Sequence, residues 1–339
     1  MEKILFLAHT ETDGGLSKAS LEALTAAKTL AGELGCGFGA ALFGADVADA
    51  ANALAGCGAT AMYGAAGQAF GQARYATDAA AITALCQAVG ATIVVCADDS
   101  RLSRAVPGAA HRLGGRVDAH VTALAARDGK AFLVRWYYRQ RMSAEMTREQ
   151  RPWFVTVSGG VFEAHAVTPG QAALSVVDVP DATSRTTVKE ILTPSADEQT
   201  IRPDAALLFV AGAGWTKKQA DGQPHVAEAG EIILGFTAKA QASLGSSKSL
   251  VDMGGEGQAI LPFLTHLHQV GQTGATPRHP KGLATCCHGE EPHVVGWRFI
   301  GERRAVNLDA NCGWAQGKCD VLYVADAFAV MRAVNEMLG

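Results

Sequence analysis

Lys3-Ile-Leu-Phe-Leu-Ala8, the stretch from Ser17 to Leu34, and Gly39-Ala-Ala-Leu-Phe43 decide the fold class between them. The first and last are short, almost unbroken apolar runs, the pattern of strands covered on both faces; a half-exposed strand would alternate. Between them Leu21, Leu24, Ala27, Ala31 and Leu34 recur at three- and four-residue spacing, so this segment reads as a helix with one apolar stripe, ended by Gly35. Working outward, Val47 to Ala55 reads as a helix, Thr60-Ala-Met-Tyr63 as a strand, Ala79 to Val89 as a helix and Ala91-Thr-Ile-Val-Val-Cys96 as a buried strand. Alternation of this kind predicts an α/β fold built on a doubly wound, mostly parallel sheet. After Val117 the pattern changes, and Lys130 to Tyr138 and Trp153 to Val157 read as strands with alternating faces, added at a sheet edge.

From about Asp178 to Asp204 the chain is rich in Thr, Ser, Pro and acidic residues, which marks a boundary between two α/β domains, 1–195 and 196–339. The second domain repeats the alternation. Ala206 to Ala211 is a strand, Ala227 to Leu244 a helix, Gly282 to Cys287, Arg304 to Asn307 and Val321 to Val324 are strands, and Ala325 to Leu338 is an amphipathic helix. Open parallel sheets bind ligands beyond the carboxyl ends of their strands. Most polar candidates in this half fall there, which favours a nucleotide-like ligand.

A chain of 339 residues with 48% hydrophobic and 18% charged residues is a globular protein of two ordinary domains. Net charge is −4 with no basic stripe, which argues against nucleic acid and anionic membrane as partners. The charge-free stretch from Ala51 to Ala73 is Ala- and Gly-rich and interrupted by Asn52, Gln68 and Gln72, so it reads as a buried segment and not as a membrane insertion. Eight cysteines without CxxC spacing fit reduced thiols in the cytoplasm.

In Gln269-Val-Gly-Gln-Thr-Gly274 two glycines bracket an amide and a hydroxyl, so backbone can approach a flat or phosphorylated ligand while two polar groups face it. An ordinary turn uses the same residues. Ser247 and Lys248 follow Gly245 in a loop or short strand end; a solvated lysine is the plainer reading. Asn307 and Asp309 end an apolar strand and Asp320 opens the next, positions that turn chemistry also favours for Asn and Asp. His266, His268, His279, His288 and His293, with Cys286 and Cys287, are conceivable metal ligands, yet the paired spacings of a structural zinc site are absent. Scattered structural histidines or a ligand-site role for His293 are the alternatives.

Taken in order, Gly245-Ser-Ser-Lys-Ser-Leu-Val-Asp-Met-Gly254, Gln269 to Gly274, His293, Ala305-Val-Asn-Leu-Asp309 and Ala325-Asp-Ala-Phe328 resemble the carboxy-terminal half of the electron-transfer flavoprotein alpha subunit. The resemblance covers roughly the last hundred residues; the amino-terminal half is compatible but has no motif as sharp. It implies one FAD in the second domain, a beta-subunit partner, electrons taken from a partner dehydrogenase and passed to an acceptor such as a membrane quinone oxidoreductase, and no substrate turnover of its own.

By the same resemblance Ser247, Lys248, Gly271, Gln272, Thr273, Gly274, His288, His293, Asn307 and Asp320 bind the cofactor. Thr273 approaches flavin N5, His293 lies near O2, and Asn307 and Asp320 hold the adenosine end. Lys248 stands where the family has arginine, keeping the charge but losing the planar fork. His288 replaces a serine and Pro292 a glutamine. Gly212-Ala-Gly-Trp-Thr216 replaces a Gly-Arg-Gly loop whose arginine reaches the phosphates, and Lys217 or Lys218 is the nearest substitute charge. The rival expectation is a free-standing nicotinamide- or metal-dependent enzyme, against which the missing GxGxxG after the first strand counts.

Overall fold

The computed structural model describes residues 2–137, 142–180, 184–191, 201–202, 205–252, 259–270, 279–286, 297, 300–312, 315 and 318–339. The chain divides into two compact units, Met1–Ile191 and Leu192–Gly339.

The first unit runs β1 (Ile4–His9), α1 (Lys18–Glu33), β2 (Phe38–Gly44), α2 (Ala48–Ala53), β3 (Met62–Ala66), α3 (Tyr75–Val89), β4 (Ile93–Ala97), α4 (Ser100–Arg112), β5 (Arg116–Arg127), β6 (Lys130–Tyr137), β7 (Met142–Met146), β8 (Trp153–Val157) and β9 (Leu174–Val176). Nine strands form one sheet in the order β7-β6-β5-β8-β4-β1-β2-β3-β9. Every residue of β1, β2 and β4 is buried, as their unbroken apolar runs require. Ser17 caps α1, its hydroxyl accepting from the Ser20 amide at 3.1 Å.

One local expectation fails here and one helix goes unread, each for an identifiable reason. Trp153 to Val157 is not an edge strand with alternating faces: it is wholly buried and lies parallel between β4 and β5. The Trp153 indole donates to the buried Asp118 carboxylate at 2.9 Å, which lets a polar-tipped aromatic occupy the interior. The edge is instead the antiparallel ladder of β5, β6 and β7. α4 escapes sequence reading because Pro107 and Gly108 interrupt its pattern, although Asp99 caps it through the Leu102 amide at 2.8 Å.

The second unit runs β10 (Leu207–Ala211), α5 (Val226–Lys239), β11 (Ser243–Ser246), α6 (Lys248–Asp252), β12 (Lys281–Thr285), β13 (Glu302–Asn307), β14 (Val321–Val324) and α7 (Ala327–Met337). Its sheet is parallel throughout, in the order β11-β10-β12-β13-β14. The helix expected as far as Leu244 stops at Lys239. Gln241 takes the left-handed conformation (φ 49°) and turns the chain into β11, which is buried at all four residues. One face of the sheet carries Phe209, Ile233, Phe236, Phe328 and Met331, the other Leu208, Val210, Ala284, Trp297 and Ala305. Among the described residues no helix is long and apolar enough to cross a membrane.

Candidate functional site

β10 is the first strand of its sheet; the chain steps to one side of it for β11 and to the other for β12. The direction of winding therefore reverses between β10 and β12, and their carboxyl ends bound a crevice where open α/β sheets hold ligands. In this chain that crevice opens into a cavity of about 150 Å³ lined by Gly214, Lys217, Lys218, Gln219, Cys286 and Asn307, with Leu308 and Ala325, Asp326 and Ala327 completing the wall. The volume is too small for a whole dinucleotide but adequate for one end of it.

The backbone at this edge is closely tied. The Gly212 amide donates to the Thr285 carbonyl at 2.8 Å and the Gly214 amide to the Cys286 carbonyl at 3.1 Å. Cys286 adopts φ 56°, a left-handed conformation uncommon for a residue with a side chain. The Trp215 indole donates to the Thr285 hydroxyl at 2.8 Å, and its ring packs 4.6 Å from that of Phe328 in α7. Burial pushes the Cys286 thiol up to about 12, with the Asp326 carboxylate adding to the effect. The thiol is thus a neutral wall group at physiological pH, not a nucleophile. Asp326 caps α7 by accepting from the Phe328 amide at 2.9 Å.

On the far side of β10, Ser247 is fully buried, its amide donating to the Ala211 carbonyl at 2.9 Å and its hydroxyl accepting from the Leu250 amide at 3.3 Å. Ser246 is also fully buried, and its hydroxyl has no partner among the described residues. Ser246 bridges in parallel to Gln269, so the run beginning at Gln269 starts on the open edge of β11, beside Ser247 and Lys248. Gly245 makes this approach possible: a Cβ there would lie 2.6 Å from a Val270 methyl. Lys248 opens α6 and pairs with Asp252 one turn on, Nζ to Oδ2 3.6 Å, both side chains partly exposed; His266 meets the same carboxylate at 3.6 Å.

The expected site residues are distributed unevenly. Ser247 and Lys248 stand at the start of the Gln269 segment, and buried Asn307 lines the crevice. Gly271, Gln272, Thr273, Gly274, His288 and His293 lie outside the described residues. Asp320 is not with Asn307. β13 and β14 are parallel, Asn307 pairs with Val324 at their carboxyl ends, and Asp320 precedes the first residue of β14, about 13 Å away along the strands. There it accepts from the Arg303 amide at 2.7 Å and its guanidinium at 2.8 Å, and this arginine holds the exposed carboxyl below the usual range. The acid that shares the crevice with Asn307 is Asp326, whose signal in the sequence was its place directly after a strand and before a helix.

Of the histidines weighed as metal ligands, His266, His268 and His279 have other partners, and His288 and His293 lie outside the described residues. His268 Nδ1 accepts from the Thr265 amide at 3.1 Å, and His279 Nε2 donates to the Arg202 carbonyl at 2.8 Å. Among the described residues no three His, Cys, Asp or Glu converge as a metal site.

The same edge of the first unit differs electrically. A cavity of about 420 Å³ there is lined by Thr10, Thr12, Gln68 and Gln72 with Glu11 and Asp46, and by no cation. At the reversal between β1 and β4 the crevice is occupied by the protein's own His9 and Asp99, Nε2 to Oδ2 3.3 Å. Phosphate would meet carboxylates in the first unit and lysines in the second.

The chain matches no curated protein in a sequence search. The family model of the electron transfer flavoprotein domain matches residues 4–182, more than half of the 339 and almost all of the nine-stranded unit. The match thus falls on the half in which no sharp motif was legible, and on that ground the chain belongs to the electron transfer flavoprotein domain family.

Proposed function

We propose that this chain is the alpha-type subunit of a heterodimeric electron-transfer flavoprotein. It holds one FAD at the carboxyl edge of the five-stranded sheet, pairs with a beta-type subunit, and carries electrons from a partner dehydrogenase to an acceptor oxidoreductase. The observation that carries the reading is the crevice at the winding reversal between β10 and β12, lined by two lysines and Asn307, in a chain of this family. The residues present fit a dinucleotide. The buried Ser246 hydroxyl, without a partner among the described residues, supplies hydrogen-bonding capacity at the same edge, and Gly245 lets the Gln269 segment lie close to β11.

FAD, when bound, supplies the ring that accepts and releases electrons. The protein's own part is to bind, orient and shield. Asn307 presents an amide at the strand end, Ser247 and Lys248 stand where the Gln269 segment begins, and Gly271, Gln272, Thr273 and Gly274 form the remainder of that segment. Lys248 brings a cation to this edge, weakened by its own Asp252. His288 and His293 belong to the same set by family likeness. Asp320, on the opposite edge of the sheet, is left out, and Asp326 takes its place.

The test is an absorption spectrum of the full chain co-produced with a beta-type subunit. Flavin bands near-stoichiometric with the pair are expected; a colourless pair that gains no flavin on incubation with FAD sinks the reading.

A further inference from the structure

We propose that Lys217 and Lys218 form the phosphate-recognition element of this chain, a two-cation clamp for the diphosphate of a nucleotide. The inference rests on the proposed nucleotide site in the second unit and adds what holds its most highly charged part.

The loop that carries the two lysines is fastened at both ends. At its start Gly212 and Gly214 are tied to the end of β12, and Trp215 is locked between Thr285 and Phe328. At its far end Lys218 bridges to Pro224, the Gln219 amide donates to the Gln223 carbonyl at 3.0 Å, and the Gly222 amide donates to the Gln219 carbonyl at 2.8 Å. The Gln219 side chain donates back to the carbonyls of Gly214 at 3.1 Å and Lys217 at 2.7 Å. The lysines therefore extend from a braced turn whose position does not depend on a ligand, which reduces the ordering entropy lost on binding.

Both ammonium groups are exposed and line the cavity, and neither has a carboxylate partner among the described residues. Three other cations of this unit are spent on carboxylates: Lys248 on Asp252, Arg303 on Asp320 and Arg332 on Glu228. Opposite the lysines lies the amino end of α7, an eleven-residue helix. Its Asp326 uses one carboxylate oxygen on the Phe328 amide, so the described side chains of the crevice sum to one positive charge. An anion there is neutralised from the loop side, while an uncharged nucleoside gains nothing from the lysines. Ala213, at the start of the same loop, is buried and carries no charge.

The experiment compares ADP and adenosine binding, by titration calorimetry at low salt, to the purified full chain freed of flavin. Wild type, a Lys217→Gln/Lys218→Gln double variant and a Lys217→Arg/Lys218→Arg double variant are used. Both positions are exposed and unpaired among the described residues, so all three should fold; thermal melts confirm it. Wild type should bind ADP more tightly than adenosine. The glutamine variant should lose about tenfold or more in ADP affinity with adenosine unchanged, and the arginine variant should restore it. Equal ADP affinity in all three, or no preference of wild type for ADP, overturns the clamp. FAD uptake, read separately by absorbance on the chain paired with a beta-type subunit, distinguishes the two ideas. Lysine-dependent ADP binding without FAD uptake retains the clamp and refutes the flavin reading. FAD uptake with lysine-independent ADP binding does the reverse.

Discussion

In the sequence Asn307 ends a short apolar run and Asp320 opens the next, yet the resemblance assigns both to one ligand end. In a parallel sheet they part: one ends its strand and the other precedes its strand, so they face opposite edges. Asn307 is buried at the crevice, and its Oδ1 accepts from the Asp309 amide at 3.1 Å, while Asp320 is spent on Arg303. Asn307→Ala is expected to weaken FAD retention by about 1–3 kcal/mol, the usual penalty for unpairing a buried polar partner. Asp320→Ala should leave retention unchanged and lower thermal stability slightly through the exposed pair with Arg303. Equilibrium dialysis of both variants checks this; equal losses would place Asp320 at the ligand after all.

At the scale of elements, the carboxyl edge of the nine-stranded sheet contains two His–Asp pairs that the sequence reading passed over. His9 ends β1 and meets Asp99 at the cap of α4, with Glu11 4.0 Å away and Arg101 nearby. His120 sits at the irregularity in β5, in a left-handed conformation (φ 57°), and pairs with Asp98, which also accepts from Ser103 at 2.8 Å and Thr156 at 3.1 Å. Burial pushes the His9 imidazole down, but Asp99 outweighs it and holds the ring above the usual histidine range; Asp98 does the same for His120, against a smaller opposing effect of burial.

The sign follows from these raised values. The folded state binds the proton more tightly than the unfolded state, so the contribution is fully present below the unfolded value of about 6.5 and fades as pH rises through the folded values. Melting temperature should therefore decline from pH 6 toward pH 8.5 in wild type. In a His9→Gln/His120→Gln variant that decline should be shallower. An identical slope in both proteins would show that neither ring gains its proton in the folded state.

At the scale of the whole molecule, each unit has its own core, one beneath the nine-stranded sheet and two on the faces of the five-stranded sheet. Residues 184–191, at the end of the first unit, are without regular structure, and Arg185 and Lys189 there are exposed. Brief trypsin treatment is expected to cut after one of them, leaving two fragments that resist further digestion, because neither core is opened by the cut. Mass spectrometry of the digest reads the result. Rapid degradation of the piece from 190 onward would mean that the second unit depends on the first for its stability.

What the sequence determined by itself was local. Buried strands in β1, β2, β4 and β10 and the stripe of α1 were legible because apolar spacing is set by neighbours along the chain. The two alternations were legible for the same reason. Only the tertiary structure decided which strand lies beside which. β8 is interior because β4 and β5 pair with its two edges and helices α1 and α4 pack on it, and β11 is a strand because β10 offers it an edge. Strand order also fixes where the winding reverses, and parallel register separates Asp320 from Asn307 while joining Asp326 to the crevice. No local pattern encodes these facts, since hydrogen bonds between strands are made by backbone groups that are the same in every residue but proline. The placement of Lys217 and Lys218 belongs with them: the sequence offers two lysines as a substitute charge, and the fold sets them in one cavity with Asn307 and Asp326.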